Sequence, residues 1–326
     1  MNKLTKIGVS ALAGSLAMTA VHAAEGSVSV STGFAFASTT DENGATGPYQ
    51  FDSVVFSASG ETDGGITVSA KMELDNDNPA STDGMDDRSL SFGTDAMGTV
   101  TFHGHGGPSV LGQWDDMTPN AYEEVWDTTA SADNRIDGRS GDNLLTYNSP
   151  SINGVMFKAA YQHDHSTAAG QSQDLGHYAD FGIQISPEMV EGLTIGYGFG
   201  ELEPNTSQTI DNETMFVKYA VGGFTLGYQK SEADGTNATQ DDESTGYAVS
   251  YAVNENFTIA YGERDYEEDT TNTANTVEQN DSGISASYTM GGMTIAGHMN
   301  ENDNVGGSTA ATNDKESYEF ALTFAF

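Results

Sequence analysis

The amino-acid sequence predicts an all-β fold, a transmembrane antiparallel up-and-down β-barrel of 16 strands. First, apolar residues recur at alternate positions in runs of about ten residues, which is the pattern of strands with one apolar and one wet face. Second, the breaks between these runs are alternately short and long, as in successive hairpins. Third, the residues between the apolar positions are mostly Ser, Thr, Gly and Ala, which are too small and polar to fill a core.

The 16 runs define the predicted strands. In the first run, SVSVSTGFAF, Val28, Val30, Phe34 and Phe36 share one face and small residues occupy the other. The runs begin near residues 27, 49, 65, 87, 98, 142, 155, 176, 193, 212, 224, 245, 257, 281, 293 and 316.

Two kinds of fold use a sheet of this type. A soluble sandwich or lipocalin-like barrel turns its apolar face inward, but 16 strands would enclose more volume than these side chains can fill. An outer-membrane barrel turns the apolar face to lipid and the small polar face to a watery lumen. The pattern favours the second fold, and a soluble calcium-dependent secreted β-protein stays as the alternative.

The C-terminal run, YEFALTFAF, predicts how the barrel closes. Lipid offers no water to an open sheet edge, so the first strand must pair with the last. Alternation sends Tyr318, Phe320, Leu322, Phe324 and Phe326 to the lipid and the smaller residues between them to the lumen. The terminal Phe is expected in the periplasmic aromatic girdle.

The N-terminal segment predicts export. Lys3 and Lys6 precede an apolar stretch at residues 7–20, and small residues follow up to Ala24. This is the pattern of a secretory signal peptide, and the apolar stretch is short for a membrane-spanning helix. We therefore predict a signal peptide at residues 1–24 and the barrel at residues 25–326.

Composition excludes two classes of function. The chain has 11 Lys and Arg against 48 Asp and Glu, a formal net charge of −37, so it lacks the basic surface with which proteins bind nucleic-acid phosphates. It has no cysteine, so neither disulfides nor thiol chemistry contribute.

Several stretches resemble one known family. They are SGETDGGITVSAKMELDN at residues 59–76, LLTYNSPSINGVMFKAAY at residues 144–161, the closing strand and one long break at residues 106–141. In these features the chain resembles the 16-stranded general porins of Gram-negative outer membranes, most nearly their alphaproteobacterial branch, although it has few basic residues.

The resemblance implies a homotrimer of water-filled pores, each narrowed by a long third loop that folds into the lumen. It also implies an outer-membrane location after transit through the periplasm, in contact with lipid and lipopolysaccharide. In such proteins the terminal strand is the signal read by the barrel-assembly machinery. Its counterparts here are Tyr318, Leu322, Phe324 and Phe326.

The long break holds the candidate constriction. It contains both tryptophans of the chain, Trp114 and Trp126, together with a group of carboxylates. A ring of carboxylates at a narrow point favours cations over anions. The acidic residues predicted to line the constriction are Asp115, Asp116, Glu123, Glu124 and Asp127.

The alternation assigns four basic residues to the lumen, because they occupy the positions between the lipid-facing apolar residues. Lys71, Lys158, Lys218 and Arg264 fall on the lumen side, where they could set a transverse field against the acidic loop. Arg135 and Arg139 lie within the long break itself.

The sequence predicts no cofactor and no transition-metal site. His103 and His105 are two residues apart on one strand, but no fixed carboxylate partner is evident, so they are interpreted as rim histidines. Acidic outer loops such as DNDN and TDGMDD could hold Ca²⁺ through clustered oxygens.

These features predict passive diffusion of small hydrophilic solutes and ions through a cation-preferring channel. A substrate-specific sugar or metal-ion channel is the nearest alternative. A barrel enzyme would need a nucleophile and base at the rim, and no G-x-S-x-G motif is present. The chain is therefore predicted not to be an enzyme.

Overall fold

The chain forms one closed antiparallel barrel of 16 strands, as the sequence predicts. The computed structural model describes residues 25–39, 47–75, 85–126, 136–163, 177–205, 208–236, 241–268, 277–310 and 313–326. The predicted signal peptide at residues 1–24 lies outside the described residues. Neighbouring barrel strands are consecutive in the chain, apart from a small two-stranded sheet inserted between the fifth and sixth barrel strands.

The barrel strands begin within four residues of the predicted positions. Their bounds are β1 Glu25–Thr39, β2 Gly47–Glu61, β3 Thr67–Asp75, β4 Met85–Thr94, β5 Gly98–His105, β8 Leu144–Asn148, β9 Val155–Gln162, β10 Tyr178–Ile185, β11 Leu193–Asn205, β12 Gln208–Val221, β13 Phe224–Gly235, β14 Asp242–Asn254, β15 Phe257–Glu268, β16 Gln279–Met290, β17 Met293–Asp303 and β18 Lys315–Ala325. The small sheet pairs β6 Gly107–Pro108 with β7 Ser140–Gly141, and α1 spans Val110–Gln113.

The apolar face of the barrel points outward. On β18, Tyr318 and Phe320 are each about half exposed, whereas Ser317, Ala321 and Thr323, which point to the other face, are buried. The same alternation recurs along the other strands, with large apolar side chains exposed and small or polar side chains covered on the inner face. Because the side-chain period of a strand is two, a barrel of such strands is apolar outside and polar inside.

The first and last strands close the barrel. β1 pairs with β18 from Ser31↔Ala325 to Thr39↔Ser317. The terminal Phe326 adds two backbone hydrogen bonds, since its N–H donates to the Val30 carbonyl at 2.9 Å and its own carbonyl accepts from the Val30 N–H at 3.1 Å. The expected closure of the first strand against the last is confirmed.

The described part of the chain contains no helix with the length and apolar character needed to span a membrane.

The connection between β5 and β8 starts from a short folded base. The Ser109 hydroxyl caps α1 by accepting from the Gly112 N–H at 3.2 Å, and it also accepts from the Arg139 N–H at 3.1 Å. The Ser109 N–H donates to the Arg139 carbonyl at 2.6 Å. The two ends of the connection are thus held together, and residues 110–126 run from this base into the barrel.

Candidate constriction of the barrel interior

Residues 106–126, here called the inner segment, cross the barrel interior along the wall formed by β10 to β18. They are first held at β10. The Leu111 N–H donates to Asp180 Oδ2 at 2.8 Å, and the Tyr178 hydroxyl donates to the same oxygen at 3.0 Å. Asp180 is completely buried, so its carboxylate anchors the segment to the wall.

Trp114 packs against a flat part of the wall. Its ring meets Phe216 of β12 edge to face with 5.3 Å between ring centroids, and it is 2% exposed. Glycines on the inner faces of β10 and β11 leave the space, since a Cβ on Gly198 would lie 2.8 Å from the Trp114 ring and 2.7 Å from Leu111 Cδ2. Gly182 likewise faces this ring. We call these inner-face glycines of β10 and β11 the glycine platform. Sequence reasoning missed it, although the alternate glycines of TIGYGFG were its signal.

One glutamine holds the middle of the inner segment. Gln229 Oε1 on β13 accepts from the Met117 N–H at 2.6 Å, while its Nε2 donates to the Trp114 carbonyl at 2.6 Å and the Asp115 carbonyl at 3.2 Å. Gln229 is buried, and both ends of its amide are used. Buried backbone groups that cannot reach water need such partners, so this residue fixes an irregular stretch of chain.

The far end of the inner segment reaches β16 and β18. The Ala121 N–H donates to Ser285 Oγ at 3.0 Å, and the Tyr122 hydroxyl donates to Glu319 Oε1. The other Glu319 oxygen accepts from the Tyr49 hydroxyl of β2 at 2.8 Å. Burial, together with the negative charge of Glu319, raises the pKa of the Tyr122 hydroxyl far above its ordinary value, so this group remains a donor.

Beyond Tyr122 the chain turns back along β17 and β15. Asn300 and Asn302 donate to the Glu124 and Val125 carbonyls at 3.3 and 2.9 Å. Trp126 then covers Arg264, whose guanidinium lies 4.7 Å from the Trp126 ring centroid. The inner segment is therefore bound to the wall at several successive points, and it occupies space that would otherwise be open lumen.

The predicted acidic residues do not all face the lumen. Asp115 and Asp116 are partly exposed, whereas Glu123 and Glu124 are each 3% exposed. Glu123 lies in the tight space between the inner segment and the wall, together with Gly262 and Gly283. Asp116 and Glu124 border a cavity of about 390 Å³ beside the segment. Asp127 is outside the described residues.

The predicted basic residues of the lumen have different partners. Lys71 pairs with Glu73 at 2.8 Å and Asp87 at 3.4 Å. Lys158 donates to Gln113 Oε1 at 2.8 Å and lies 5.8 Å from the Trp114 ring centroid.

Of the other predicted cations, Arg264 is buried, Arg139 is partly buried, and Lys218 faces the cavity. Arg264 is 2% exposed and forms an ion pair with Asp281 at 2.8 Å. Burial lowers the pKa of the Arg139 guanidinium at the base of the connection. Lys218 borders the same 390 Å³ cavity as Asp116. Arg135 is outside the described residues.

The four residues of the expected assembly signal lie together on the outer face of β18 and just beyond its end. Tyr318 and Phe326 are 47% and 64% exposed, and Leu322 and Phe324 between them are partly exposed.

Three carboxylates lie close together where β3 ends and β4 begins. Glu73, Asp75 and Asp86 offer oxygens within 4.8 Å of one another, and Asp75 and Asp86 belong to the two acidic stretches of the sequence. Glu73 is already held by Ser53 at 2.7 Å and by Lys71. Calcium binding at this edge stays a prediction.

One row of inner-face residues contains the residue types of a hydrolase. Ser285, His298 and Glu319 face one another in register on β16, β17 and β18. Within the described part of the chain, however, neither His298 ring nitrogen has a hydrogen-bond partner, and Ser285 Oγ instead accepts from the inner segment. The row lacks the nucleophile–base hydrogen bond that such chemistry uses.

Comparisons with known proteins identify similar chains. The family described as Gram-negative porin matches residues 8–307. A comparison with curated protein sequences finds no significant match.

Solved structures show the same fold at low sequence identity. OmpT of Vibrio cholerae has a TM-score of 0.68 at 13% identity, with 96% of this chain and 100% of that chain covered. OmpF of Salmonella typhi has a TM-score of 0.67 at 12% identity, with 92% and 98% covered. A variant of the Rh. blastica porin has a TM-score of 0.62 at 14% identity, with 93% and 100% covered.

Proposed function

The chain belongs to the Gram-negative porin family and forms an outer-membrane channel, and on that premise we propose that it passes small hydrophilic solutes and ions by passive diffusion with a preference for cations. The channel function follows from the family. The cation preference is our own proposal for this chain.

The charge of the inner segment supports the cation preference. Asp115 and Asp116 are partly exposed at the narrowed part of the interior. Of the four predicted lumen cations, Lys71 and Arg264 are already paired with carboxylates, which leaves Lys158 and Lys218 to offset this negative charge. Carboxylates at a constriction replace part of the hydration of a cation and repel anions. The 48 Asp and Glu of the chain, against 11 Lys and Arg, act in the same direction.

Neutralising the exposed acids tests the preference. In the Asp115→Asn/Asp116→Asn variant we expect the K⁺-over-Cl⁻ permeability ratio to fall about two- to fivefold, because each exposed charge contributes up to about 1 kcal/mol. The reversal potential across a planar bilayer with a KCl gradient measures this ratio, at low salt to limit screening. Asp211→Asn, which removes an exposed charge on the outer face of β12, is the control. An unchanged ratio in the double variant would contradict the proposal.

We also propose the homotrimer that the resemblance to general porins implies. If it forms, single-channel recordings should show conductance steps in groups of three, and gentle cross-linking in detergent should give a trimer that heating dissociates. A monomer under both conditions would rule the trimer out.

The terminal strand is proposed as the signal for the barrel-assembly machinery, and residues 1–24 as the leader removed during export. Phe326→Ala keeps the two backbone bonds to Val30 and removes the exposed ring. We expect severalfold less folded barrel in cell envelopes but nearly normal refolding of the purified chain into detergent, where the machinery is absent. Equal losses in both assays would indicate a stability effect and not recognition. N-terminal sequencing of the envelope protein should begin at Glu25.

A further inference from the structure

The outer wall of the barrel carries an apolar groove across β13 to β18, with a volume of about 820 Å³. Two small residues form its floor, since Ala286 of β16 and Gly297 of β17 lie directly opposite each other on the outer face. In the same row they are flanked by Ile259 of β15 and Phe320 of β18, which are 42% and 49% exposed. The row is therefore large at both ends and small in the middle.

Larger side chains enclose the floor along the strands. The next outward-facing row on one side contains Ile284 and Met299, and the row on the other side contains Tyr288 and Ile295. The four residues from Ile284 to Tyr288 span about 13 Å of strand. This length is similar to half of the about 30 Å hydrocarbon core of a bilayer. The groove thus has the length of an acyl chain from one leaflet.

The chain cannot fill this floor with its own side chains at Gly297. A Cβ at that position would lie 2.5 Å from the Glu319 carbonyl oxygen, so the close approach of the backbone requires glycine. Unfilled space at an apolar surface loses dispersion contacts. Because the groove lies on the lipid-facing side of the barrel, hydrocarbon is the material that fills it.

The two ends of the groove differ in charge. Beyond the end at Met299, the next outward-facing residues on β15 and β17 are the exposed carboxylates Glu263 and Glu301. A lipid phosphate placed at this end would be repelled by both. The opposite end lies near the short connections at residues 255–256 and 291–292, which face the periplasm in barrels of this kind.

Two tyrosines line the periplasmic end of the groove. Tyr251 stacks on Phe224 with 4.5 Å between ring centroids, and Tyr288 is 38% exposed. Among the residues that the structure describes, neither tyrosine hydroxyl has a hydrogen-bond partner. A phenolic hydroxyl can donate to a phosphate or ester oxygen. This end therefore suits the polar part of a lipid, whereas the acidic end does not.

We propose that the groove holds one acyl chain of a phospholipid from the periplasmic leaflet. The chain lies over Ala286 and Gly297, and the hydroxyls of Tyr251 and Tyr288 donate to the oxygens of the glycerol phosphate region. Lipopolysaccharide is disfavoured because its phosphates would meet the carboxylates at the other end. The groove is outside the lumen, so this site is independent of the solutes that the channel passes.

Native mass spectrometry of protein extracted from cell envelopes in a mild detergent tests the site. We expect about one phospholipid per chain to remain on the unmodified protein. Ala286→Phe fills the floor and should lower the retained fraction about five- to tenfold. Ala159→Phe is the matched control, because Ala159 faces outward on β9 between Tyr147 and Phe181, outside the groove. Both variants should conduct like the unmodified protein, which shows that they fold.

A second variant keeps the shape of the groove. Tyr251→Phe/Tyr288→Phe retains both rings and removes only the hydroxyls, so the retained fraction should fall about two- to tenfold, the range for one net hydrogen bond. Undiminished retention in this variant would contradict the placement of the polar part of the lipid.

Three other results would overturn the site. They are the absence of bound lipid from the unmodified protein, lipopolysaccharide as the lipid retained, and equal retention in Ala286→Phe and the unmodified protein. If Ala286→Phe instead separates an oligomer into single chains and Ala159→Phe does not, the groove is a contact between copies of the chain and the lipid assignment is wrong.

Discussion

Arg264→Leu is expected to destabilise the barrel by about 3–5 kcal/mol, because it leaves the carboxylate of Asp281 buried without its cation. Arg264 binds Asp281 Oδ2 through Nε at 2.9 Å and through Nη2 at 2.8 Å. The Asp281 side chain has no exposed surface in the folded chain. Asn302 and Gln279 also donate to this carboxylate, but neither carries a positive charge. The temperature at which the heat-modifiable band disappears on electrophoresis measures the loss.

The double variant Arg264→Leu/Asp281→Leu separates the charge effect from the loss of packing. Removing both charges should restore much of the lost stability, since an apolar pair of similar volume avoids the desolvation of a lone carboxylate. The Arg264 guanidinium also stacks on Trp126 and Tyr266, so some loss remains. If the double variant is as unstable as the single one, the ion pair is not the source of the stability.

Gly198→Val is expected to release the inner segment from the wall. A Cβ at this position would lie 2.8 Å from the Trp114 ring and 3.1 Å from the Phe181 carbonyl oxygen, so the ring must leave its place. Losing the packing of a buried Trp corresponds to about 3–5 kcal/mol. We expect single-channel currents that are larger and fluctuate more than those of the unmodified protein, because the narrowing element is no longer held.

Gly26→Val is the control for this change. It also places a branched side chain on a barrel strand, but its Cβ would meet only the Ser57 carbonyl, at 3.8 Å. Its single-channel currents are expected to match those of the unmodified protein in size and in fluctuation. If the currents of Gly198→Val also match, the position of the inner segment does not depend on the glycine platform.

The strands could be predicted because their signal is local. Each run of about ten residues shows the alternation of apolar and small or polar residues by itself. Lipid offers no water to an open sheet edge, so the first and last strands must pair. The same alternation of inward and outward residues also placed Lys71, Lys158, Lys218 and Arg264 on the inner face. It could not show that Trp126 covers Arg264, because that contact joins residues far apart in the chain.

The path of the inner segment was beyond sequence reasoning for the same reason. Gln229 binds the carbonyl of Trp114 from 115 positions away, and no periodic pattern records such a bond. The long break has no alternating pattern, so the sequence could not show which of its acids face the lumen and which face the wall. In the structure, Glu123 lies against the wall. The inward-facing glycines were a usable signal for the packing of the inner segment. A row of glycines on neighbouring strands indicates that another segment of the chain approaches the sheet closely there.

The reversal potential of the unmodified protein tests the central claim most directly. The purified chain would be inserted into a planar bilayer under a tenfold KCl gradient. An open channel narrowed by an acidic segment predicts stable conductance and a reversal potential displaced toward the K⁺ equilibrium value. A reversal potential at zero or on the Cl⁻ side would contradict the cation preference. An absence of conductance from protein that is folded and inserted would contradict the open channel itself.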